Sequence, residues 1–188
     1  MSLSKQLLIL ISLIFLIVFS VSFYLSMSNI RNYLEVESEV HVQDTATSLG
    51  LSLSPHMGDE QDPILLTMMN AIFDMGYYRE MRLVNVDGEE LVKLTNPVQM
   101  EGVPDWLIKV LPIKTATAVT EISSGWNISG TLYVSSNPAY GYLKLYQQAK
   151  ETLLYSVLIF VGAFVLLMLV LRMTLQPLKD IQKQAHEI

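Results

Sequence analysis

Two long apolar runs lie near the two ends of the chain. The first covers residues 7–25, and the second begins at Leu153 and holds no charged side chain before Arg172. A run of about 18 or more apolar residues is long enough to cross the ~30 Å hydrocarbon layer as a helix, and a helix satisfies its own backbone polar groups. We therefore predict membrane spans at residues 7–25 and 153–173, with one domain between them.

Basic residues indicate the orientation of the second span. Arg172, Lys179 and Lys183 follow it directly, whereas no basic cluster of that density precedes it. Positive residues are retained on the cytoplasmic side of a membrane. The sequence therefore predicts that residues 1–6 and 174–188 are cytoplasmic and that residues 26–152 form an exported domain.

The first apolar run allows two interpretations. Its Ser20-Val21-Ser22 segment fits the small-residue pattern of a cleaved signal peptide, and either a signal peptide or an uncleaved anchor would export the following domain. A signal-peptide core is usually about 7–15 residues long. The greater length of this run favours an uncleaved anchor.

Helical spacing continues beyond the first run. An apolar stripe between residues 26 and 53 predicts either a helix packed on the exported domain or a dimer seam, and the pattern does not decide between them: Ile30, Leu34, Ala46, Leu49, Leu53. Asp62-Pro63 has the residues of a helix N-terminus, and Gly76 is suited to the helix end. The predicted buried face of this second helix is Ile64, Leu65, Met68, Met69, Ile72, Phe73.

Alternating patterns follow and predict four strands. Residues 78–94 read as a hairpin around a two-residue Asp87-Gly88 turn,. Residues 115–135 contain a second pair of strands, and between the pairs Trp106 is expected to cover the core. Helices flanking an antiparallel sheet give an α+β fold class.

The second pair of strands is joined by a segment of small residues around one large aromatic residue. Residues 123–130 read SSGWNISG, and we interpret them as a loop with Trp126 near its tip. An exposed tryptophan there would suit a partner, because tryptophan is enriched at interface hot spots. The alternative is that Trp126 begins the next strand and packs inward. The residues alone leave the two equal.

Composition excludes several classes of function. The chain of 188 residues is 51% hydrophobic, has only 16% charged residues, carries a formal net charge of −6 and contains no cysteine. Nucleic-acid binding is not expected without a basic surface, and thiol chemistry is excluded. His41, His56 and His186 do not have metal-ligand spacing. We find no catalytic motif and predict that this chain is not an enzyme and binds no metal.

The last part of the chain predicts one long helix. No helix breaker separates Pro138 from Pro177, and Leu178, Ile181 and Ala185 then follow at helical spacing. This exit resembles the opening of a HAMP linker, a helical bundle that relays motion from the membrane. We expect Pro177 and Leu178 to act in signal relay, and we expect the chain to be the N-terminal part of a longer receptor.

Several segments, in this order, resemble the N-terminal half of LapD-type cyclic-di-GMP receptors: MSLSKQLLILI, HVQDTATSLGLSLSP, AIFDMGYYREMRLV, VPDWLIKVLP, the GW loop and LQPL. The resemblance implies a two-pass protein of the bacterial inner membrane. It also implies a periplasmic PAS-like domain in a homodimer, which is domain-swapped in the family. Degenerate GGDEF and EAL domains would follow the HAMP linker and bind cyclic-di-GMP, so that no cofactor is expected in this chain.

The resemblance also implies a partner and a site. In the family, cyclic-di-GMP binding inside the cell makes the periplasmic domain capture LapG, a cysteine protease that releases an adhesin, and biofilm formation depends on this capture. A hairpin-tip tryptophan inserts into the protease, and Gly125-Trp126 matches it. Asn127 stands where an acidic residue is expected. The implied partner-binding residues are Trp126, Gly125 and Asn127.

A second hypothesis is an outside-in sensor. In that case a small-molecule pocket in the PAS-like domain would control a cytoplasmic cyclic-di-GMP enzyme. The residues suggested for such a pocket are Tyr77, Tyr78, Arg79 and Arg82. The simpler interpretation is that these are ordinary strand residues, since a pocket needs convergent polar groups.

Overall fold

The computed structural model describes residues 3–98, 100 and 102–184, and within these its side chains are described from residue 6 to residue 170. The helices are α1 (Leu3–Leu53), a 3-10 turn (Ser54–His56), α2 (Pro63–Phe73), α3 (Asp105–Val110) and α4 (Pro138–Gln184). The strands are β1 (Tyr78–Asn85), β2 (Glu90–Thr95), β3 (Thr117–Ser124) and β4 (Asn127–Ser136). The chain divides into a central unit, Met27–Tyr146, and an end unit formed by the residues on either side of it.

The central unit contains one antiparallel sheet. Its four strands lie in the order β2-β1-β4-β3, so that β1 and β4 are central. The sheet and the helices beside it confirm the predicted α+β fold class. Side chains on one face of the two central strands are completely buried: Met81, Leu83, Leu132, Val134.

Helix α1 supplies much of the core of the central unit. Val42, Ala46, Leu49 and Leu53 are each at most 2% exposed and belong to the same buried cluster as the sheet residues. The predicted apolar stripe is therefore confirmed as a packing surface over its second half. Leu34 is also buried, whereas Ile30 is only partly buried. Whether the helix also forms a dimer seam stays a prediction.

The predicted N-cap of α2 is confirmed, but the predicted C-cap is wrong, because Asp74 takes that position. The Asp62 carboxylate accepts a hydrogen bond from the backbone N–H of Ile64 at 2.9 Å, and Pro63 is the first helical residue. Gly76 has the expected positive φ of 80°, but it lies beyond the last helical residue, Phe73. Of the predicted buried face only Leu65 and Met69 are fully buried. Ile64, in the first turn of the helix, is 40% exposed, so the predicted buried face was wrong at this residue.

Two local predictions were wrong. Trp106 is 56% exposed and does not cover the core, because the neighbouring Leu107 takes the buried position of α3. The β1–β2 connection has four residues, Val86 to Glu89, instead of a two-residue turn. It is longer because the Asn85 side chain binds the backbone N–H groups of Asp87 and Glu89.

The end unit contains the apolar parts of α1 and α4. Phe15 contacts Phe160, with ring centroids 4.7 Å apart, and Phe19 and Phe164 extend these ring contacts along their own helices. Both helices are long and apolar enough to cross a membrane, as judged by length and composition. The span boundaries 7–25 and 153–173 stay predictions. Of the proposed HAMP residues, Pro177 and Leu178 belong to α4, whereas Ala185 lies outside the described residues.

Candidate functional site at the tip of a hairpin

The tip of the β3–β4 hairpin, Ser124 to Asn127, holds all three predicted partner-binding residues. Ser124 pairs with Asn127, so that Gly125 and Trp126 alone form the turn. Residues 123–130 are therefore mostly strand, and the prediction of a longer loop was wrong. Gly125 has a φ of 68°, and every positive φ among the described residues belongs to a glycine. This is the arrangement of a II′ turn with glycine at its first central position.

The indole of Trp126 is fully exposed, with a relative accessibility of 103%. The interpretation that Trp126 packs inward was therefore wrong. A two-residue turn explains this position, because the side chains of such a turn lie beyond the last strand pair. Two more apolar side chains of the same hairpin, Val119 and Ile128, are more than half exposed. The described residues thus leave three apolar side chains of this hairpin largely uncovered.

The second half of β3 is fixed to the end of α1 and the 3-10 turn. The Ser54 hydroxyl donates a hydrogen bond to the backbone carbonyl of Ser123, and Ile122 is buried at 1% exposure. A Cβ on Gly50 of α1 would come within 3.2 Å of the Thr120 methyl group, so the two backbones approach closely there. Only the last residues of the hairpin extend away from the domain.

An irregularity in β4 lies next to the tip, opposite Ile122 and Ser123. Ile122 pairs with Gly130, but Ser123 pairs with Ile128, so Ser129 is an extra residue in β4. Such a bulge bends the strand and increases its local twist. No pattern in the sequence predicts this bulge, although the run of small residues allows it. The bulge redirects the tip relative to the rest of the sheet.

The residues of the sensor hypothesis are divided between two places. Tyr77 and Tyr78 line a groove in the central unit between α1 and the start of α4. Arg82 does not line it, since its guanidinium lies 4.6 Å from the centroid of the Tyr133 ring and 3.3 Å from the Glu90 carboxylate. Arg79 is exposed and also lies outside the groove.

Two groups of the central unit have shifted pKa values. Burial raises the pKa of Tyr78 above its ordinary 10.0, although the hydrogen bond to Thr45 opposes the shift. The backbone N–H of Ile64, followed by His56, lowers the pKa of Asp62. Neither group lies at the hairpin tip. In the part of the chain that the structure describes, no three histidine or carboxylate side chains are grouped as metal ligands.

Comparison with known proteins identifies the family. A sequence model of the LapD/MoxY periplasmic domain matches residues 23–146. A solved Pseudomonas LapD periplasmic domain is 30% identical over 66% of this chain and 97% of that chain, with a TM-score of 0.37. The comparison with curated proteins found no match.

The chain belongs to the LapD/MoxY periplasmic domain family, because the sequence match covers well over half of its length. The matched region ends at the same residue as the central unit, residue 146. The central unit is therefore a non-catalytic periplasmic sensor domain. It lies in sequence between two long apolar helices.

Proposed function

We propose that this chain is the membrane and periplasmic part of an inside-out receptor. The receptor captures a LapG-like periplasmic cysteine protease when its cytoplasmic domains bind cyclic-di-GMP. Capture keeps the protease from releasing a surface adhesin and so promotes biofilm formation. The receptor acts as a homodimer in the bacterial inner membrane, with both apolar helices crossing the lipid and residues 26–152 in the periplasm.

The exposure of Trp126 is the observation that carries this proposal. Tryptophan is highly buried on average in folded proteins, and here the ring has its full surface in solvent. Burying such a ring in a pocket of a partner recovers its hydrophobic contribution, and buried aromatic anchors often contribute about 2–4 kcal/mol to binding. Gly125 supports this role because its positive φ permits the tight turn that holds the ring outward.

The contact between α1 and the hairpin supports a physical route for the signal. Ser54 follows α1 directly and is hydrogen-bonded to Ser123, two residues before the tip glycine. Gly50 of α1 packs closely against Thr120 of the same hairpin. A shift of α1 along its axis would therefore move the end of β3 and change the position of Trp126. Pro177 and Leu178, near the far end of α4, would pass the cytoplasmic change along that helix.

The proposal is tested by protease capture. The receptor with its cytoplasmic domains is immobilised with cyclic-di-GMP, and the dissociation constant of a LapG-like protease is measured. We expect Trp126→Glu to weaken capture by about 30-fold or more, because each 1.4 kcal/mol of lost binding is tenfold. The melting temperature should not change, since the ring makes no contribution to the core.

Trp106→Glu is the matched control. Trp106 is also more than half exposed, but it lies on α3. Its substitution should leave capture unchanged. Undiminished capture by Trp126→Glu, or an equal loss with Trp106→Glu, would contradict the proposed role of the hairpin tip.

A further inference from the structure

A groove of about 330 Å³ opens in the central unit, on the side of the sheet where β4 leads into α4. One wall is α1, with Glu37, Ser38 and His41, and the other is the start of α4. Tyr77 and Lys114 also line the groove. Its volume is at the lower end of the range of small-molecule sites, about 300–1,000 Å³.

Aromatic rings form a continuous surface in this groove. Tyr77 lies edge-on to His41 at 6.0 Å and edge-on to Tyr140 at 5.0 Å, measured between ring centroids. The His41 ring is positioned by a hydrogen bond, because its Nε2 is 3.2 Å from the Tyr78 hydroxyl. The same hydroxyl is hydrogen-bonded to Thr45 at 2.7 Å. A planar ligand would therefore contact aromatic rings whose positions are already set by their neighbours.

The charges lining the groove favour an anion. Glu37 is the one carboxylate among the lining residues, and it already lies 3.5 Å from the ammonium of Lys144. Lys114 makes no ion pair with the described residues. The first turn of α4 also lines the groove, and Asn137 caps it through the backbone N–H of Ala139. The amino end of a helix adds partial positive charge.

We propose that this groove binds a small organic anion that has a planar ring and a carboxylate. The ring would lie against Tyr77 and Tyr140, and the carboxylate would be placed by Lys114 at the amino end of α4. Such a ligand would contact α1 and α4 together and fix their separation in the central unit. The groove thus gives the domain an input from the periplasm that is separate from protease capture at Trp126.

Benzoate is a suitable probe, and benzamide is its uncharged analogue of nearly the same shape. Binding of both compounds to the purified chain in detergent is followed by saturation-transfer difference NMR. We expect benzoate to bind in the millimolar range and benzamide to bind at least about tenfold more weakly. Equal binding of the two compounds would overturn the assignment of an anion site.

Lys114→Ala is the decisive variant, because this exposed side chain is not needed for folding. It should weaken benzoate binding by about tenfold, whereas Lys109→Ala on α3 should not change it. Tyr140→Ala should weaken benzoate and benzamide alike. Unchanged benzoate binding by Lys114→Ala would overturn the proposal. So would the absence of binding up to about 10 mM, the result expected if a second copy of the chain covers the groove.

Discussion

The two hairpins of the sheet differ in how their turns are completed. In the β1–β2 hairpin, the side chain of Asn85 accepts hydrogen bonds from the backbone N–H groups of Asp87 and Glu89, at 3.0 and 2.9 Å. Asn85 also donates to the Glu60 carboxylate at 2.9 Å, so the turn is tied to the segment before α2. In the β3–β4 hairpin, the turn consists of Gly125 and the fully exposed Trp126.

This difference separates a structural turn from an interaction surface. The first turn satisfies its polar groups within the domain and gains nothing from a partner. The second leaves the largest type of apolar side chain in water. This side chain contributes favourable free energy only when another surface covers it. The two turns should therefore respond differently to substitution: the first through the free energy of unfolding, the second through binding.

The largest expected effect lies at Gly130, which pairs with Asn85 of β1 and with Ile122 of β3 and so joins the two hairpins. A Cβ there would come to 2.5 Å from both the Val84 carbonyl oxygen and the terminal methyl of Met57. The methionine can move, but the strand backbone cannot move without loss of pairing. We expect Gly130→Ala to lower the free energy of unfolding by about 3 kcal/mol in urea denaturation.

Gly58→Ala is the control for this substitution. A Cβ at Gly58 meets no atom within 4 Å, and its φ is not positive. It should be neutral within about 0.5 kcal/mol. Equal stability of the two variants would show that the hairpins are not in such close contact at Gly130.

A smaller effect is expected at Asn85, which is only 6% exposed. Asn85→Ala removes three side-chain hydrogen bonds, two within the first turn and one to Glu60, and should cost about 2 kcal/mol in the same denaturation experiment. Asn127→Ala changes the same residue type beside the second turn, where the side chain is exposed, and should cost less than about 0.5 kcal/mol. Similar losses for both variants would remove the distinction between the turns.

The turn glycines sharpen the comparison further. Gly88 and Gly125 both have positive φ, at 85° and 68°, and open space around an added Cβ. Alanine at either position should cost about 1 kcal/mol of stability, because only backbone strain is added. If the proposed function is correct, only Gly125→Ala should also weaken protease capture. A loss of capture with Gly88→Ala would argue against a separate role for the second tip.

The smallest effect concerns acid stability near the first turn. The backbone N–H of Ile64, followed by His56, lowers the pKa of Asp62 below its ordinary 3.8. The ionised carboxylate therefore stabilises the folded state above that pH, and this stabilisation is lost as the pH falls through the lower folded pKa. The melting temperature of the wild type should fall on acidification below pH 3.8, and the melting temperature of Asp62→Asn should fall less. Asp44→Asn, on the exposed side of α1, should behave like wild type. Identical acid profiles for Asp62→Asn and wild type would contradict this assignment.

Sequence reasoning succeeded where one local rule decides the structure. Asp62 and Pro63 begin α2 because an N-cap acceptor and a proline suit the first turn in any context. The alternating pattern of residues 78–94 predicted strands for a similar reason, since successive side chains of a strand point to opposite faces,.

The failures occurred where a local pattern fits more than one surface. Trp106 and Leu107 are adjacent and both apolar, and only their contacts decide that Leu107 is buried. The groove could not be predicted from its residues, because Glu37, Tyr77, Lys114 and Tyr140 are distant in the chain. Arg82 seemed suited to a pocket but lies over Tyr133 on a neighbouring strand.

The order of apolar and polar residues by itself determined the two long apolar helices, the N-cap of α2 and the α+β class, because each depends on near neighbours in the chain. Tertiary structure alone decided the strand order, the outward position of Trp126 and the meeting of α1 with α4 around the groove. These depend on which distant segments pack together. That choice is made by the whole core, since burial rewards contact between apolar surfaces regardless of their separation in sequence.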